Sequence, residues 1–421
     1  MPMRTAARLP SRQLPPPHRP TATSRADAAR KLTQWLLSEA RFLRDNGQVF
    51  SQFCERVLAA GIALDRAALH QRALHPRYRG VSRIWRPDAR LQVRFLDHGL
   101  EKTATYLESP VRAVVERGER LAWRLDGSRP LPFAILEELR EAGYTHYVIV
   151  PMVYASGAIN SVAWATRRPG GFATSEVAFL QRTLPGLSTV IEAKALRNFV
   201  ENMLRTYVGG EPSRLILDGQ VRRGDIRTIT AALMLVDLRD FTLLSDRLPP
   251  RAVIRLLNEY FDSVFPAVRR RGGEILEIMG DGVLAIFHQQ PDGSPAEICR
   301  AALAAAQEAL AAVGRQNRRG APGSPVLRAG AALHYGTVSY GNIGSGDRLD
   351  FTVIGPDVNL TSRIEQFCRE LDRELIMSQA FAERLDLPVW ELGHFELRGF
   401  SQLQRLFELP LGEEGAATDA L

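Results

Sequence analysis

The chain has 421 residues, which is too long for one ordinary domain and predicts two domains with tails. A hydrophobic content of 45% and a charged content of 24% are typical of a globular protein. No run reaches the roughly 18 apolar residues that a membrane-spanning helix needs. Three widely spaced cysteines (Cys54, Cys299 and Cys368) argue against a disulfide framework or a metal cluster, so we expect a cytoplasmic chain without a membrane partner.

The net charge of +7 comes almost wholly from arginine, since lysine occurs only at positions 31, 102 and 194. Basic clusters stand at 269–271 and 318–319, but neither contains interleaved aromatic residues or a nucleic-acid-binding motif. We therefore expect no nucleic-acid partner. Solvated surfaces, or a general attraction for a polyphosphate substrate, explain the charge more simply.

Residues 1–28 are rich in Pro, Arg, Ser and Ala, and contain no acidic residue before Asp27. This composition predicts a disordered tail, and an organelle transit peptide is the lesser alternative. From Ala28 to about Leu69, apolar residues recur at helical spacing and predict two helices. The last stretch, 410–421, is short and rich in small and acidic residues, and is expected to be loose.

Residues 75–170 change character, with strand-like runs at 91–96, 146–152 and 161–166 between helices near 110–117 and 133–141. The string YVIVPMVYASGAINSVAWATRRPGGFATSEVAFLQRTLPGL resembles the last part of a GAF-type sensory domain, with two strands around a small-residue turn and a Gly-Phe step into the final helix. The resemblance implies a pocket for a small ligand, which the residues do not identify. An unrelated α+β module is the alternative. On this interpretation, residues 29–175 are a helical lead-in and a GAF-like sensory domain.

A long helical region is predicted at 176–207 within a linker at 176–227, which ends in a connector from Glu211 to Arg227. Its apolar positions keep a coiled-coil spacing, first at Val177, Leu180, Leu184, Leu187 and Ile191, and then at Leu196, Val200, Met203 and Tyr207. Pro185 is expected to kink or break the helix. The pattern fits a helix packed on its own domain or a parallel dimer helix that carries a sensory signal.

Three stretches after residue 228 contain candidate functional residues. In AALMLVDLRDFT, an apolar strand ends at Asp237, which suits a metal–phosphate site. In GGEILEIMGDGVLAIF, two β-prone runs flank a Gly-Asp-Gly turn that presents Asp281, with Glu277 on the incoming strand. In FTVIGPDVNLTSRIE, a strand leads into a helix that carries Asn359 and Arg363 on one face.

These stretches together resemble the catalytic domain of the class III nucleotidyl cyclases, the adenylate and guanylate cyclases, from about Thr228 to Leu409. The predicted elements are a strand at 229–237, a helix near 250–270, a hairpin at 273–287, a helix near 295–315, strands near 326–342 and 350–354, a helix at 357–370 and a final α/β segment. Their alternation fits the ferredoxin-like βαββαβ core that the family has, so the expected fold class is α+β, with the catalytic domain at 228–409.

The resemblance implies a role for each matching residue. It assigns two divalent cations (Mg²⁺ or Mn²⁺) to Asp237 and Asp281, transition-state stabilisation to Asn359 and Arg363, base recognition to Glu277 and Thr352, and phosphate binding to backbone around Leu238, Phe241 and Thr242 and to Arg398. It also implies a homodimer in which the two metal-binding carboxylates come from one protomer and Glu277, Thr352, Asn359 and Arg363 from the other. One departure is Asp240, where the family usually has glycine.

The substrate is predicted to be a purine nucleoside triphosphate, with GTP slightly favoured over ATP. Adenylate cyclases of the family have lysine where Glu277 stands, and this chain has no lysine after Lys194. A carboxylate can accept hydrogen bonds from guanine N1–H and N2–H, but it faces a lone pair at adenine N1. Thr352 is neutral between the two bases. An adenylate cyclase, a non-catalytic nucleotide sensor and an interaction protein tethered by its arginine-rich tail are the alternatives.

Overall fold

The computed structural model describes residues 22–73, 75, 78–288, 293–319, 325–347 and 349–410. The chain divides into two compact units between Asn202 and Met203. No helix within these described ranges is long and apolar enough to cross a membrane. Of the two predicted tails, residues 1–21 and 411–421 lie outside the described residues.

The N-terminal unit combines helices with one sheet. In chain order its elements are α1 (Ala22–Ser38), α2 (Asn46–Ala59), β1 (Arg66–Arg72), β2 (Gly80–Arg86), β3 (Ala89–Leu96), α3 (Ala104–Leu107), α4 (Pro110–Arg117), β4 (Leu121–Arg124), α5 (Ala134–Glu141), β5 (His146–Val153), β6 (Ile159–Thr166) and α6 (Thr174–Val208), with 3₁₀ turns at Ala40–Phe42 and Leu100–Lys102.

Its six strands form an antiparallel sheet in the order β3-β2-β1-β6-β5-β4. Side chains alternate across β1, so Ala67 and Leu69 belong to a core with α1, α2 and α6, whereas Ala68 belongs to a second core with α4 and α5. The sheet is therefore covered on both faces.

Two expectations for this unit were wrong. Residues 22–28 are helical rather than disordered, because α1 is anchored by buried residues such as Leu32 and Leu36 further along. The predicted helical region up to Leu69 includes β1, which begins at Arg66. Ala67, Ala68 and Leu69 are all buried, so this central strand lacks the alternation that distinguishes a strand from a helix.

Helix α6 also runs uninterrupted through Pro185, which was expected to kink or break it. A proline inside a helix costs about 3 kcal/mol or more. The surrounding part of α6 buries Leu180, Leu187 and Ile191, and this apolar burial offsets the cost.

The C-terminal unit contains a second sheet. Its elements are α7 (Gly210–Leu217), β7 (Ile226–Leu238), α8 (Phe241–Arg247), α9 (Pro250–Arg270), β8 (Glu274–Met279), β9 (Gly282–His288), α10 (Pro295–Arg319), β10 (Ala329–Gly344), β11 (Leu349–Ile354), α11 (Pro356–Glu370), β12 (Leu375–Ser378), α12 (Gln379–Ala382), β13 (Trp390–Phe395) and β14 (Gln404–Glu408). Helix α7 lies within the stretch that was predicted only as a connector.

The strand order is β13-β14-β12-β10-β7-β9-β8, and β11 pairs with β10. The elements β7, α9, β8, β9, α10 and β10 follow one another in the βαββαβ order that the sequence predicts. Helices α9 and α10 pack on one face of β7, against Met234 and Val236 among others. Helix α11 packs against β10 and β12 through residues such as Leu360 and Ile364. The fold is thus mixed α+β, and β7 is an interior strand between β10 and β9.

Candidate active site

Asp237 stands near the C-terminal end of β7, an interior strand of the sheet. This strand pairs with β10 from Ile226 to Leu238, and with β9 on its other side. Because Val236 and Leu238 belong to the core under α9 and α10, alternation places Asp237 on the opposite face. Because β7 is hydrogen-bonded to a strand on each side, the backbone that carries Asp237 is held in place.

Asp281 lies in the turn that joins β8 to β9. Met279 pairs with Gly282, so Gly280 and Asp281 are the two turn residues. Only Gly280 has positive φ, at 69°, which is the pattern of a type II′ hairpin. Of the predicted Gly-Asp-Gly turn, Gly280 and Asp281 form the turn and Gly282 begins β9, so Asp281 lies at the tip.

The structure brings these two carboxyl groups together. Gly282, beside Asp281, faces Asp237 so closely that a Cβ there would lie 3.5 Å from Asp237 Oδ1. Burial, a hydrogen bond to Asp281 and the negative charge of Asp281 raise the pKa of Asp237. Two acidic groups share one small, partly buried volume and repel each other when both are ionised.

A third carboxyl group, Glu365 on α11, was missed by the sequence analysis. It is 8% exposed, and burial raises its pKa. The negative charge of Glu365 contributes to the raised pKa of Asp237. A signal was available, because Glu365 falls in the buried stripe of α11 between Thr361 and Cys368 at helical spacing, where an apolar residue is expected.

Gly330 lets α11 approach the sheet at this point. It pairs with Asp237 across the β7–β10 ladder. A Cβ at Gly330 would lie 2.9 Å from Cys368 Cβ and 3.1 Å from Glu365 Oε1. A larger residue would push the helix away from Asp237.

The paired carboxylates suit a divalent cation in chemical terms. No group of three or more His, Cys, Asp or Glu side chains able to hold a metal ion occurs among the described residues. Mg²⁺ is commonly held by one or two protein carboxylates together with water and substrate phosphates. Asp237 and Asp281 therefore fit an ion that arrives with a polyphosphate.

The two predicted base-recognition residues also meet. Thr352 on β11 donates a hydrogen bond from Oγ1 to Glu277 Oε2, at 2.9 Å. A bulge between Ile275 and Glu277 shifts the register of β8 just before this contact. Both side chains are half-buried, so the carboxylate is held in one place while remaining accessible.

Asn359 and Arg363 lie one turn apart on α11. Asn359 is exposed, and Arg363 is half-buried and donates from Nη1 to Gln366 Oε1 at 3.2 Å. Within the described chain, no hydrogen bond or ion pair joins either residue to Asp237 or Asp281. Within one chain, the structure thus brings Asp237 to Asp281 and Glu277 to Thr352, and it shows no polar contact between α11's Asn359 or Arg363 and either pair among the described residues.

Both ends of α11 are fixed to the sheet. At its C-terminal end, Arg239 is 6% exposed and donates to the carbonyl oxygens of Cys368 (3.0 Å) and Arg373 (2.6 Å) and to Asp372 Oδ1 (2.6 Å). Because Arg239 follows Asp237 by two residues, the segment that carries the Asp237 carboxylate also fixes the helix. This role was not predicted.

At the N-terminal end of α11, Asp357 accepts a hydrogen bond from the Thr337 backbone N–H at 2.6 Å. Its Oδ1 lies 3.3 Å from Nε2 of the buried His334. The contact with His334 lowers the pKa of Asp357, as does the Thr337 N–H. Ser378 Oγ lies 2.7 Å from His334 Nδ1, so a hydroxyl donating there would leave the Nε2 proton facing Asp357.

The phosphate-binding residues implied by the resemblance occupy two separate loops. The Leu238 N–H donates to Oδ1 of Asp237 at 3.1 Å, and Phe241 and Thr242 begin α8. Asp240 has φ of 58°, in the left-handed region that favours glycine, which gives a physical reason for glycine in the family. Arg398 is exposed in the turn between β13 and β14.

Comparison with known proteins identifies the relatives of this unit. Residues 226–407 match the family described as the adenylate and guanylate cyclase catalytic domain. The chain is 30% identical over 167 residues to an adenylate cyclase of Anabaena cylindrica, covering 39% of this chain and 32% of that protein. It is 33% identical over 180 residues to adenylate cyclase 1 of Rhizobium meliloti (strain 1021), and the match covers 42% of this chain and 27% of that protein.

Among solved structures, the guanylyl cyclase Cya2 is 29% identical, with a TM-score of 0.39, and the match covers 46% of this chain and 98% of that one. The two sequence relatives are much longer than the matched region, so this chain spans less than a third of each.

Replacing Asp281 by Asn is expected to stabilise the metal-free protein. Because the folded-state pKa of Asp237 is raised, its contribution to stability is complete at low pH and is lost as the pH rises through that folded-state pKa. Asp281→Asn removes the neighbouring charge, so in EDTA the Tm should rise by about 2–4 °C per kcal/mol of relieved repulsion and depend less on pH. Thermal unfolding from pH 5 to 9 measures both effects.

The matched control for that experiment is Asp246→Asn, which makes the same charge change at an exposed position on α8. Its Tm and pH profile should follow the wild type. A Tm of Asp281→Asn below the wild-type value across the whole pH range would contradict the repulsion between Asp237 and Asp281.

Replacing Arg239 by Met should destabilise the protein by about 2–4 kcal/mol, because the Arg373 carbonyl oxygen loses its side-chain donor and the Cys368 carbonyl oxygen keeps only the Arg373 N–H. Arg328→Met is the matched control. Arg328 also donates to Asp372 Oδ1 at 2.6 Å, but its side chain is 58% exposed, so its loss should cost about 1 kcal/mol or less. Urea unfolding of both variants makes the comparison, and equal losses would show that Arg239 does not fix α11.

Proposed function

We propose that this chain, whose residues 226–407 form an adenylate/guanylate cyclase catalytic domain, converts a purine nucleoside triphosphate into a 3′,5′-cyclic nucleotide and pyrophosphate. The observation that carries the proposal is the meeting of Asp237 and Asp281 at the C-terminal end of β7. Two adjacent carboxylates that repel each other favour a site completed by cations. A solvated surface pair would have no reason to be partly buried together.

In the proposed reaction, the ribose 3′-oxygen forms a bond to the α-phosphorus and gives up its proton. The bond from that phosphorus to the bridging oxygen breaks, and pyrophosphate leaves with the electron pair. Two divalent ions, held by Asp237 and Asp281, would lower the pKa of the hydroxyl and neutralise the polyphosphate. The two carboxylates would fix the position of these ions at the C-terminal end of β7.

Asn359 and Arg363 are proposed to act on the ribose and the α-phosphate. Arg363 offers a planar set of N–H donors to the charge that grows on the α-phosphate, and Asn359 orients the ribose. The backbone around Leu238, Phe241 and Thr242, together with Arg398, would contact the remaining phosphates. The fixed ends of α11 support this assignment, because a rigid helix keeps donors in place without reorganisation.

The active enzyme is proposed to be a homodimer. The support is that one chain keeps Asn359 and Arg363 out of hydrogen-bonding contact with Asp237 and Asp281. The C-terminal half of α6 also leaves apolar residues exposed at coiled-coil spacing, with Leu196 61%, Val200 41% and Tyr207 80% exposed. A second copy would cover this stripe and complete each site.

GTP is proposed as the favoured substrate, with ATP as the alternative. The Thr352 hydroxyl has one proton, and it is donated to Glu277. Both side chains therefore present mainly lone pairs to an incoming base. Guanine N1–H and N2–H can donate to them, whereas adenine N1 cannot.

The N-terminal unit is proposed to be a GAF-like sensory domain that regulates the cyclase. An antiparallel sheet covered on both faces by helices supports a compact ligand-binding module.

The test is product formation by the purified full-length protein with Mn²⁺ or Mg²⁺ and either GTP or ATP. Cyclic GMP should exceed cyclic AMP, and Asp281→Asn should abolish both products. Glu277→Lys should shift the GTP/ATP ratio of kcat/KM toward ATP by about tenfold to a hundredfold.

Glu370→Lys makes the same charge change at an exposed end of α11, and it should leave the ratio unchanged. Cyclic AMP in excess from the wild type would overturn the role of Glu277 and leave a cyclase. No product at any protein concentration would instead favour a non-catalytic nucleotide-binding domain.

A further inference from the structure

A short connection joins two residues that the proposed reaction uses on the same nucleotide. Thr352 lies on β11 and contacts Glu277, whereas Asn359 lies near the start of α11. A purine and its ribose are joined by one glycosidic bond, so the separation between the residue that recognises the base and the residue that orients the ribose has to match the nucleotide. The position of residues 353–358 on the sheet therefore decides whether both contacts can form together.

Asp357 holds this connection on the sheet. Residues 353–358 read VIGPDV, so the Asp357 side chain is the one among them that can form hydrogen bonds. It turns toward β10, where it accepts from the Thr337 backbone N–H at 2.6 Å, and its Oδ1 lies 3.3 Å from Nε2 of His334. The Asp357 carbonyl oxygen also accepts from Thr361 Oγ1 at 2.7 Å, which ties the same residue into α11.

Strand β10 is shaped to receive this carboxylate. A Cβ at Gly336 would lie 2.1 Å from Asp357 Oδ2 and 2.7 Å from His334 Nε2, so any other residue there would displace the Asp357 side chain. Gly336 thus leaves a gap, and the His334 ring and the Thr337 N–H flank it. One carboxylate from the following helix fills that gap.

His334 directs a proton to the carboxylate. It is 4% exposed, and its Nδ1 lies 2.7 Å from Ser378 Oγ. The Ser378 hydroxyl accepts from the Phe381 N–H at 3.2 Å, so its own proton is available to Nδ1 and the imidazole proton then lies on Nε2. Nε2 has no aligned hydrogen-bond partner among the described residues, although Asp357 Oδ1 is within reach. Such a contact can tighten when a substrate is bound.

We propose that Asp357 and His334 are positioning residues for the cyclisation. They fix residues 353–358 on β10 and so set the separation between Thr352, at the base, and Asn359, at the ribose. The inference rests on the proposed function, because it concerns those two roles. Neither Asp357 nor His334 contacts the nucleotide in this account, so each acts through Asn359.

The experiment is a double-mutant cycle on the purified full-length protein, with Mn²⁺ and whichever of GTP and ATP the wild type converts faster. Asp357→Ala should lower kcat about tenfold to a hundredfold and change KM by less than about threefold, because a misplaced ribose contact is felt mainly in the transition state. In an Asn359→Ala background the same change should cost less than about twofold, since no ribose contact is left to misplace.

Two further variants separate positioning from stability. His334→Leu should lower kcat as Asp357→Ala does, and His334→Gln, which keeps an N–H donor, should restore it to within about threefold of the wild type. Asn317→Ala is the matched control, because it removes two hydrogen bonds to the Leu327 backbone, at 2.7 and 2.9 Å, between α10 and the segment before β10. It should lower the Tm as Asp357→Ala does and leave kcat at the wild-type value.

Three results would overturn the inference and leave the cyclase in place. The first is a wild-type kcat for Asp357→Ala. The second is a loss that multiplies fully with that of Asn359→Ala, since independent effects do so. The third is an equal loss of kcat in Asn317→Ala, which would show that reduced stability alone explains the effect. A wild type that forms no cyclic nucleotide would overturn the proposed function itself, and the inference with it.

Discussion

The repulsion between Asp237 and Asp281 is the constraint on which the catalytic unit depends. Burial and the neighbouring Asp281 raise the pKa of Asp237, and the negative charge of the nearby Glu365 raises it further. The sheet holds the carboxyl groups of Asp237 and Asp281 in place despite their repulsion, because β7 is paired on both sides and Gly280 fixes the β8–β9 turn. In the proposed function, cations brought by a polyphosphate would relieve this repulsion, so that the site gives up stability in the empty protein for binding in the loaded one.

The same constraint accounts for the position of α11. This helix must lie close enough to the sheet for Glu365 to approach Asp237, and Gly330 makes room for it. Arg239 at one end and Asp357 at the other fix its position through hydrogen bonds to the backbone. In the proposed homodimer, the helix so fixed would serve the partner's site, so each chain would couple the metal loop of one site to the transition-state residues of the other.

Much of this arrangement could be predicted from the sequence, because local patterns determined it. The apolar run before Asp237, the glycine-flanked Asp281 and the i, i+4 pair on α11 are all short-range signals. The Glu277–Thr352 contact needed the family resemblance, since 75 residues separate the two side chains. Arg239 and Asp357 were missed for the same reason: whether a charged side chain has a partner depends on strands and helices distant in sequence, and periodicity carries no information about this.

The most direct test of a catalytic site shared between two copies is complementation between two inactive variants. Asp281→Asn and Arg363→Ala break different halves of the proposed site, so co-expressed chains should form some dimers with one intact site and recover about a quarter of the wild-type activity. Asp281→Asn co-expressed with Asp237→Asn should recover none, because both changes fall in the same half. The predicted result is cyclase activity from the first pair and no activity from the second. No activity from either pair, although mixed dimers are demonstrated, would contradict a site built from two chains.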